Sequence, residues 1–362
     1  MKIGFFSPTI NRVGGGEWVT LNMIHALKSK KHKILVYSAD KINSAHIQEF
    51  FGHNLCFDNE VSFWPNIFDS YNLESIYPNL LKSFFFGIKC DLLIDTFSNA
   101  LFPWADAVYF QGRPTALRLP KGMKGSLFAP YKAFLTSSIK HIKPEEKILM
   151  ACSKCSAKTA EALTELAVNV LYPPVSDFFK IEDTKAHPKN NIVATVIRVS
   201  NDKRPETIPQ IAKLVSEDIS FVIIGNCKLP QELPVLNRLQ RYIQKLGVKE
   251  KVKVLLNISR EKQRNILQSS RVYLHPFVLY EAFGISVIEA MSAGCIPIVP
   301  DVGGLREIVP KKLRYTSVEE AAYIVDKSID NWSSRKAQDS VEIANKFSQT
   351  SFQNKFLKIM KL

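Results

Sequence analysis

Glu281 and Glu289 stand eight positions apart in the run EAFGISVIE, with Phe283 and Gly284 between them. Packing alone asks for neither carboxylate there. Upstream, RVYLHP (Arg271–Pro276) has the apolar, β-branched and aromatic pattern of a buried strand. Downstream, Ile285, Ile288, Met291 and Ser292 fall at helical spacing, Ala293-Gly294 closes the helix, and CIPIVP (Cys295–Pro300) is a further buried strand. Glu281 therefore belongs to a strand-to-helix loop and Glu289 to the helix, about one turn in. The backbone amides of Gly284, Ile285 and Ser286 form the helix N-terminus, where unpaired N–H groups and the helix dipole attract anions. Two carboxylates that accept from hydroxyls, around a phosphate-sized anion site, describe the recognition of a sugar nucleotide.

Further candidates share that kind of position. In VIRVSNDK, Arg198 and Lys203 follow a strand of the second half, and FVIIGNC places Gly225 at the end of the next one. Asp301-Val-Gly303-Gly304 follows CIPIVP, and Gly14-Gly15-Gly16 follows the opening strand, where glycine lets backbone approach a ligand closely. Carboxyl ends of parallel strands are where ligands of such sheets bind. Singly, each is equally well read as a solvated loop charge or a turn glycine; together they converge on one edge. His275, beside Pro276 at a strand end, has two readings, a structural histidine or a residue lining the crevice.

Those positions require a particular scaffold. Strand-like runs (KIGFFS, KILVYSA, CDLLIDTF, AVYFQG, KILMACS and VNVLYPP, then NNIVATVIR, FVIIG, VKVLL, RVYLHP and CIPIVP) alternate with amphipathic helices over Glu17–Lys28, Pro205–Ser216, Gln231–Leu246 and Glu261–Ser269. Alternation of this kind predicts an α/β protein with parallel sheets covered on both faces. The expected domains are a Rossmann-like domain over 1–176, a polar linker over 177–190 and a second Rossmann-like domain over 191–345, the two facing a cleft. A helix over 346–362, with an apolar stripe, should pack back on the first domain.

With 362 residues, 46% hydrophobic and 23% charged, the chain has the length and composition of two globular domains. No run approaches the ~18 apolar residues of a membrane span, and MKIGFFSPTI reads as a first strand rather than a signal peptide, so a cytoplasmic protein is expected. Six cysteines are scattered; Cys152-Ser-Lys-Cys155 lacks the second pair of a metal site and reads as small residues at a strand–helix turn. The net charge is +14, and both halves are basic. That balance suits a phosphorylated substrate, an anionic lipid or nucleic acid, but no nucleic-acid-binding motif accompanies it.

The block EAFGISVIEAMSAGCIPIVPDVGGLREIV resembles the signature of the large retaining glycosyltransferase family of GT-B fold, the family-four type, with its Glu-x7-Glu motif. Arg198 and Lys203 (Arg-x4-Lys), Gly225 and the N-terminal GGGE agree with it in order and spacing. The stretch GGGEWVTLNMIHAL is similar to the α-1,2-mannosyltransferases that extend dolichol-linked oligosaccharides. The resemblance implies that Glu289 binds ribose hydroxyls and Glu281 hydroxyls of the transferred hexose. Arg198 and Lys203 would take up the charge of the leaving diphosphate. Gly284, Ile285, Ser286, Phe283, Gly225, Gly15 and Gly16 would complete the site for a GDP- or UDP-linked donor. It implies no cofactor and no metal: the chain has no Asp-x-Asp, and two cations can neutralise a diphosphate where magnesium otherwise would. The two glutamates are then not an acid/base pair of the glycosidase kind. Where the family commonly carries a histidine in a stretch like Tyr-x-His-x-Pro, this chain has YFQGRP, leaving Gln111 and Arg113 as acceptor-side candidates. A GT-B enzyme that is not a transferase, and a soluble transferase, are the competing readings.

Between Asp106 and Glu145 there is no acidic residue, while Arg113, Arg118, Lys121, Lys124, Lys132, Lys140 and Lys143 are interleaved with Leu127, Phe128, Tyr131, Phe134, Leu135 and Ile139. Phe84-Phe85-Phe86 adds an apolar cluster upstream. A mixture of basic and apolar residues is typical of interfacial membrane binding, at roughly 1 kcal/mol per basic residue near an anionic surface. The expectation is a peripheral enzyme on the cytosolic membrane face acting on a lipid-linked or other glycan acceptor. Reversing three of Lys121, Lys124, Lys132 and Lys140 to Glu should release the protein from anionic liposomes while leaving donor affinity unchanged. Failure of the wild type to sediment with such liposomes at low salt would favour a soluble acceptor.

Overall fold

The computed structural model describes residues 1–62, 90–99, 101, 105–112, 147–184, 189–227 and 230–362. Arg113, Phe84–Phe86 and the basic stretch from Arg113 to Lys143 lie outside these residues. The chain divides into two units, residues 1–174 with 349–362, and residues 175–348.

The N-terminal unit is built on seven parallel strands: β1 (Lys2–Phe6), β2 (Lys33–Ser38), β3 (Asn59–Ser62), β4 (Leu92–Asp95), β5 (Ala107–Phe110), β6 (Ile148–Ala151) and β7 (Asn169–Val170). Their spatial order is 3-2-1-4-5-6-7. The central strands are covered on both faces, which is why KIGFF and AVYF are near-continuous apolar runs rather than alternating ones. The order reverses between β1 and β4, so the loops leaving these two strands diverge at the carboxyl edge. Helix α1 (Gly15–Ser29) starts there, with Gly14 at its N-cap donating its N–H to Glu17 Oε2 at 2.9 Å. Trp18, buried on α1, donates Nε1–H to the carbonyl of Pro174 at 3.0 Å. Helices α2 (Ser44–Phe51) and α3 (Lys154–Thr164) follow β2 and β6. The C-terminal helix Gln349–Met360 is part of this unit: it buries Phe352, Phe356, Leu357 and Met360, and Gln353 Nε2 donates to Asn22 Oδ1 of α1 at 3.3 Å.

The second unit has six parallel strands, β8 (Asn190–Arg198), β9 (Ser220–Asn226), β10 (Val252–Leu256), β11 (Ser270–Leu274), β12 (Ile296–Pro300) and β13 (Arg314–Tyr315), in the order 10-9-8-11-12-13. Helices α4 (Thr207–Leu214), α5 (Leu233–Lys245), α6 (Arg260–Ser269), α7 (Ile285–Ser292), α8 (Leu305–Ile308), α9 (Val318–Asp330) and α10 (Ser334–Asn345) connect and follow them. Val193, Phe221, Ile223, Val272, Leu274 and Ile298, from four adjacent strands, are buried in one core. The switch point lies between β8 and β11, the strands that carry Arg198 and lead to Glu281.

The segment expected as a linker is instead part of this second unit. Phe179 is buried in a short 3-10 turn, Ile181 N–H donates to Ser292 O at 3.0 Å, and Thr184 Oγ1 donates to Ser334 O at 3.3 Å. Lys189 is buried too, its Nζ donating to Leu267 O at 3.2 Å and Ala293 O at 2.7 Å. The polar sequence hides two apolar anchors, Phe179 and Ile181, and the boundary moves back to the rigid Pro173-Pro174 pair.

Phe356 is fully buried and stacks on Phe352 with centroids 6.4 Å apart. Phe356→Ala should destabilise the N-terminal unit by ~3–5 kcal/mol, read from chemical denaturation. A loss below ~1 kcal/mol would mean that this helix contributes little to the unit.

Candidate functional site

The carboxyl edge of the second sheet brings Lys203, His275 and Glu281 together. β11 ends at Leu274, and the backbone N–H of His275 still pairs with Ile298 O of β12 at 2.9 Å. The loop then carries Glu281 to Gly284, which adopts a left-handed φ of +98° and caps α7. Only glycine takes that conformation cheaply, and a Cβ there would also lie 2.7 Å from Leu305 Cδ2. The loop after β12 lies directly against this one. Gly304 N–H donates to Glu281 O at 2.9 Å, and a Cβ on Gly303 or Gly304 would fall 2.1 Å from the carbonyl oxygen of Glu281 or Ala282. The DVGG glycines therefore set the position of the Glu281 backbone.

Glu281 is mostly buried, and its Oε2 is 2.5 Å from Lys203 Nζ and 3.2 Å from His275 Nε2. Burial alone would raise its pKa, but the approach of His275 and the charge of Lys203 outweigh it and hold the group at about 2. Burial lowers the pKa of His275, so its ring is neutral. The group is an anion whose Oε2 is fixed by the protein.

Glu289, on the inner face of α7, behaves in the opposite way. Burial raises its pKa to about 7, and Arg260 offsets this only partly because its Nη2 stays 3.9 Å away. Arg260 in turn lies over the rings of Phe178 and Phe179, at 5.3 and 5.0 Å. Nothing in the spacing of the sequence pointed to Arg260. The only hint was its position at the first turn of the helix after β10, beyond a strand's carboxyl end.

Other candidates are placed differently. Arg198 ends β8 with its side chain 58% exposed and its Nη2 3.6 Å from Asp202. It is on the Lys203 loop but is not among the groups around Glu281. Ser286 shares a hydrogen bond with Tyr273 Oη at 2.9 Å, so its hydroxyl ties α7 to β11, while the amides of Ile285 and Ser286 are in the first turn, which lacks intrahelical acceptors. Two residues pack closely. Phe283 is buried, its ring edge-on to Phe347 with centroids 5.4 Å apart, and it anchors the loop. Gly225 lies within β9, where a Cβ would be 2.8 Å from Val199 Cγ2 and 3.1 Å from Leu256 Cδ2; close packing accounts for it.

In the N-terminal unit, Gly15 and Gly16 open α1. A Cβ on Gly16 would fall 1.9 Å from Gln111 Oε1, while Gln111 Nε2 donates to Gly16 O at 3.3 Å and also to Thr96 O. Gln111 thus ties β5 to the loops after β1 and β4, the two strands at the switch point.

Residues 177–342 match the family model for glycosyl transferases group 1, which covers nearly all of the second unit. The chain is 27% identical to the GDP-Man:Man(3)GlcNAc(2)-PP-Dol alpha-1,2-mannosyltransferase of Homo sapiens, with 84% of this chain and 73% of the human one covered. It is 28% identical to the phosphatidylinositol N-acetylglucosaminyltransferase GPI3 subunit of Saccharomyces cerevisiae, over 43% of this chain and only 36% of the yeast one. Its fold is similar to that of Alr3699/HepE from Anabaena, solved in complex with UDP, with a TM-score of 0.73, 16% identity and 100% of both chains covered. Two parallel-sheet α/β units and these similarities define a fold shared with glycosyltransferases of GT-B architecture, and the second unit carries the match to their family model.

The opposed carboxylates generate a pH test. A carboxyl whose folded pKa is raised from 4.5 to about 7 makes the fold less stable as pH climbs through that window, because the unfolded chain ionises first. Glu289→Gln mimics the protonated form, so it should stabilise the protein by roughly 2 kcal/mol at pH 8 and by little at pH 5. Urea denaturation at the two pH values reads the difference, and an equal effect at both would place the pKa near its ordinary value.

Proposed function

We propose that the protein is a retaining, metal-independent hexosyltransferase. It would move a mannose- or glucose-type hexose from a GDP- or UDP-linked donor to a lipid-linked glycan, bound peripherally at the cytosolic face of a membrane. The observation that carries this reading is the ionised Glu281, with one oxygen tethered by Lys203, directly before the N-terminus of α7. An anchored carboxylate is suited to accept hydrogen bonds from hexose hydroxyls. The adjacent amides of Ile285 and Ser286 are suited to phosphate oxygens, and Glu289 one turn on is suited to the ribose.

In the transfer step, the bond between the anomeric carbon and the diphosphate oxygen breaks, and its electron pair stays on the phosphate. The acceptor hydroxyl oxygen bonds to the same face of the sugar, and its proton passes to the departing phosphate oxygen. Arg198 and Lys203 take up the growing charge on the diphosphate, the role that makes a divalent ion unnecessary in this reading. The human and yeast relatives, by their names, act on a dolichol-diphosphate-linked oligosaccharide and on phosphatidylinositol, which supports a lipid-linked acceptor. Among the described residues no helix is long and apolar enough to cross a membrane. The proposed attachment rests on the basic, aromatic stretch between Arg113 and Lys143.

Glu289→Ala should weaken nucleoside diphosphate binding by roughly a hundredfold or more, since two charge-assisted hydrogen bonds are lost. Glu281→Ala should spare that affinity and reduce turnover instead, because the free nucleotide lacks the hexose. Calorimetry and initial rates separate the two; equal losses of affinity would contradict the assigned roles. EDTA should leave transfer intact, and NMR of the product should show the donor's anomeric configuration. Loss of activity restored by magnesium, or an inverted product, would overturn this mechanism.

A further inference from the structure

His275 is 2% exposed, and neither of its ring nitrogens makes a hydrogen bond among the described residues. Its Nε2 lies 3.2 Å from Glu281 Oε2, near enough to favour the carboxylate but not set as a formed hydrogen bond. The backbone leaves the ring little choice. The N–H of His275 is bonded to Ile298, its carbonyl accepts from Tyr315 Oη at 2.5 Å, and Pro276 restricts its conformation from the other side. Two ring nitrogens buried without a protein partner carry a cost that a phenylalanine or leucine of similar volume would avoid. A polar group kept at such a cost, against the carboxylate of the site, calls for a role.

The state of Lys203 supplies one. Its Nζ is bonded to Glu281 Oε2. In the transferase reading, on which this inference rests, the same ammonium must turn to the donor diphosphate. That exchange would strip a buried carboxylate of its cation. We infer that His275 is a positioning residue that takes over Glu281 Oε2 through its Nε2–H when Lys203 engages the diphosphate, so that Oε1 stays aimed at the hexose. A neutral ring is well suited to this role, since it donates a hydrogen bond without adding a charge that would compete with Lys203 for the phosphates.

The test pairs His275→Phe, which fills the space without a donor, with His275→Gln, whose amide nitrogen can stand near the position of Nε2. His275→Phe should remain folded, with a melting temperature within a few degrees of the wild type, and hold nucleoside diphosphate affinity within about twofold. It should lower kcat for hexose transfer by about tenfold to a hundredfold. His275→Gln should restore most of that loss. Nitrogen-15 NMR of labelled histidine should find a neutral ring protonated on Nε2, whose signal shifts towards a stronger hydrogen bond on adding nucleoside diphosphate. Unchanged turnover in a folded His275→Phe, failure of His275→Gln to recover activity, or an unprotonated Nε2 would each overturn the inference. If the wild type binds no nucleoside diphosphate, the transferase reading falls, and the exchange falls with it even where the tautomer is as expected.

Discussion

Burying a carboxylate at the end of a β-sheet is unfavourable unless a cation meets it, and this site contains the case with and without a close one. Glu281 and Glu289 flank the same helix start and are both largely shielded from water. Lys203 sits 2.5 Å from Glu281, and that group stays ionised down to about pH 2. Arg260 stops 3.9 Å short of Glu289, and burial pushes that group to about 7. The neighbouring imidazole and the close ammonium of Lys203 hold the first carboxyl low, and the more distant Arg260 leaves the second raised by burial. The first carboxylate is fixed and charged by the protein alone; the second holds its proton near neutrality until something stabilises its anion. A ligand that donates hydroxyl hydrogens to Glu289 does that, so binding and ionisation are coupled there.

Holding Glu281 in place falls to backbone as much as to side chains. Gly303 and Gly304 press against the carbonyls of Glu281 and Ala282 at distances no Cβ could share, and Gly284 turns the chain into α7 with a positive φ. Phe283, buried against Phe347, pins the loop from below. Three loops of the second unit (after β8, β11 and β12) are thereby fixed to one another before any ligand arrives. Preorganisation of this sort is what allows a few charges to act on a diphosphate without reorganising at the moment of transfer.

Much of this was legible in the sequence because its physical origin is local. Parallel strands buried on both faces must be apolar throughout, and KIGFF, NNIVATVIR and CIPIVP announced themselves for that reason. The edge strands β3 and β13 did not: NEVS and RY are short and half polar, as edges tend to be. The glycines were visible as residues but not as contacts. Gly225 serves packing, while Gly303 and Gly304 serve the site, and only the neighbours that the fold supplies distinguish them. The polar segment after Pro174 looked like a linker because its few apolar residues follow no period, yet Phe179 and Ile181 are enough to dock it. Partnerships across long stretches of chain, Lys203 with Glu281 and Glu289 with Arg260, depend on the strand order 10-9-8-11-12-13, which no residue spacing encodes.

Central to the site is Glu281 as an anion held by Lys203. Carbon-13 NMR of its side-chain carboxyl, followed through acid titration in the wild type and in Lys203→Met, measures this without reference to any substrate. The wild-type resonance should remain that of a carboxylate to about pH 2, and loss of the ammonium should move the titration up by several units as burial takes over. A wild-type midpoint near the ordinary value of 4.5, or one that Lys203→Met leaves in place, would contradict it.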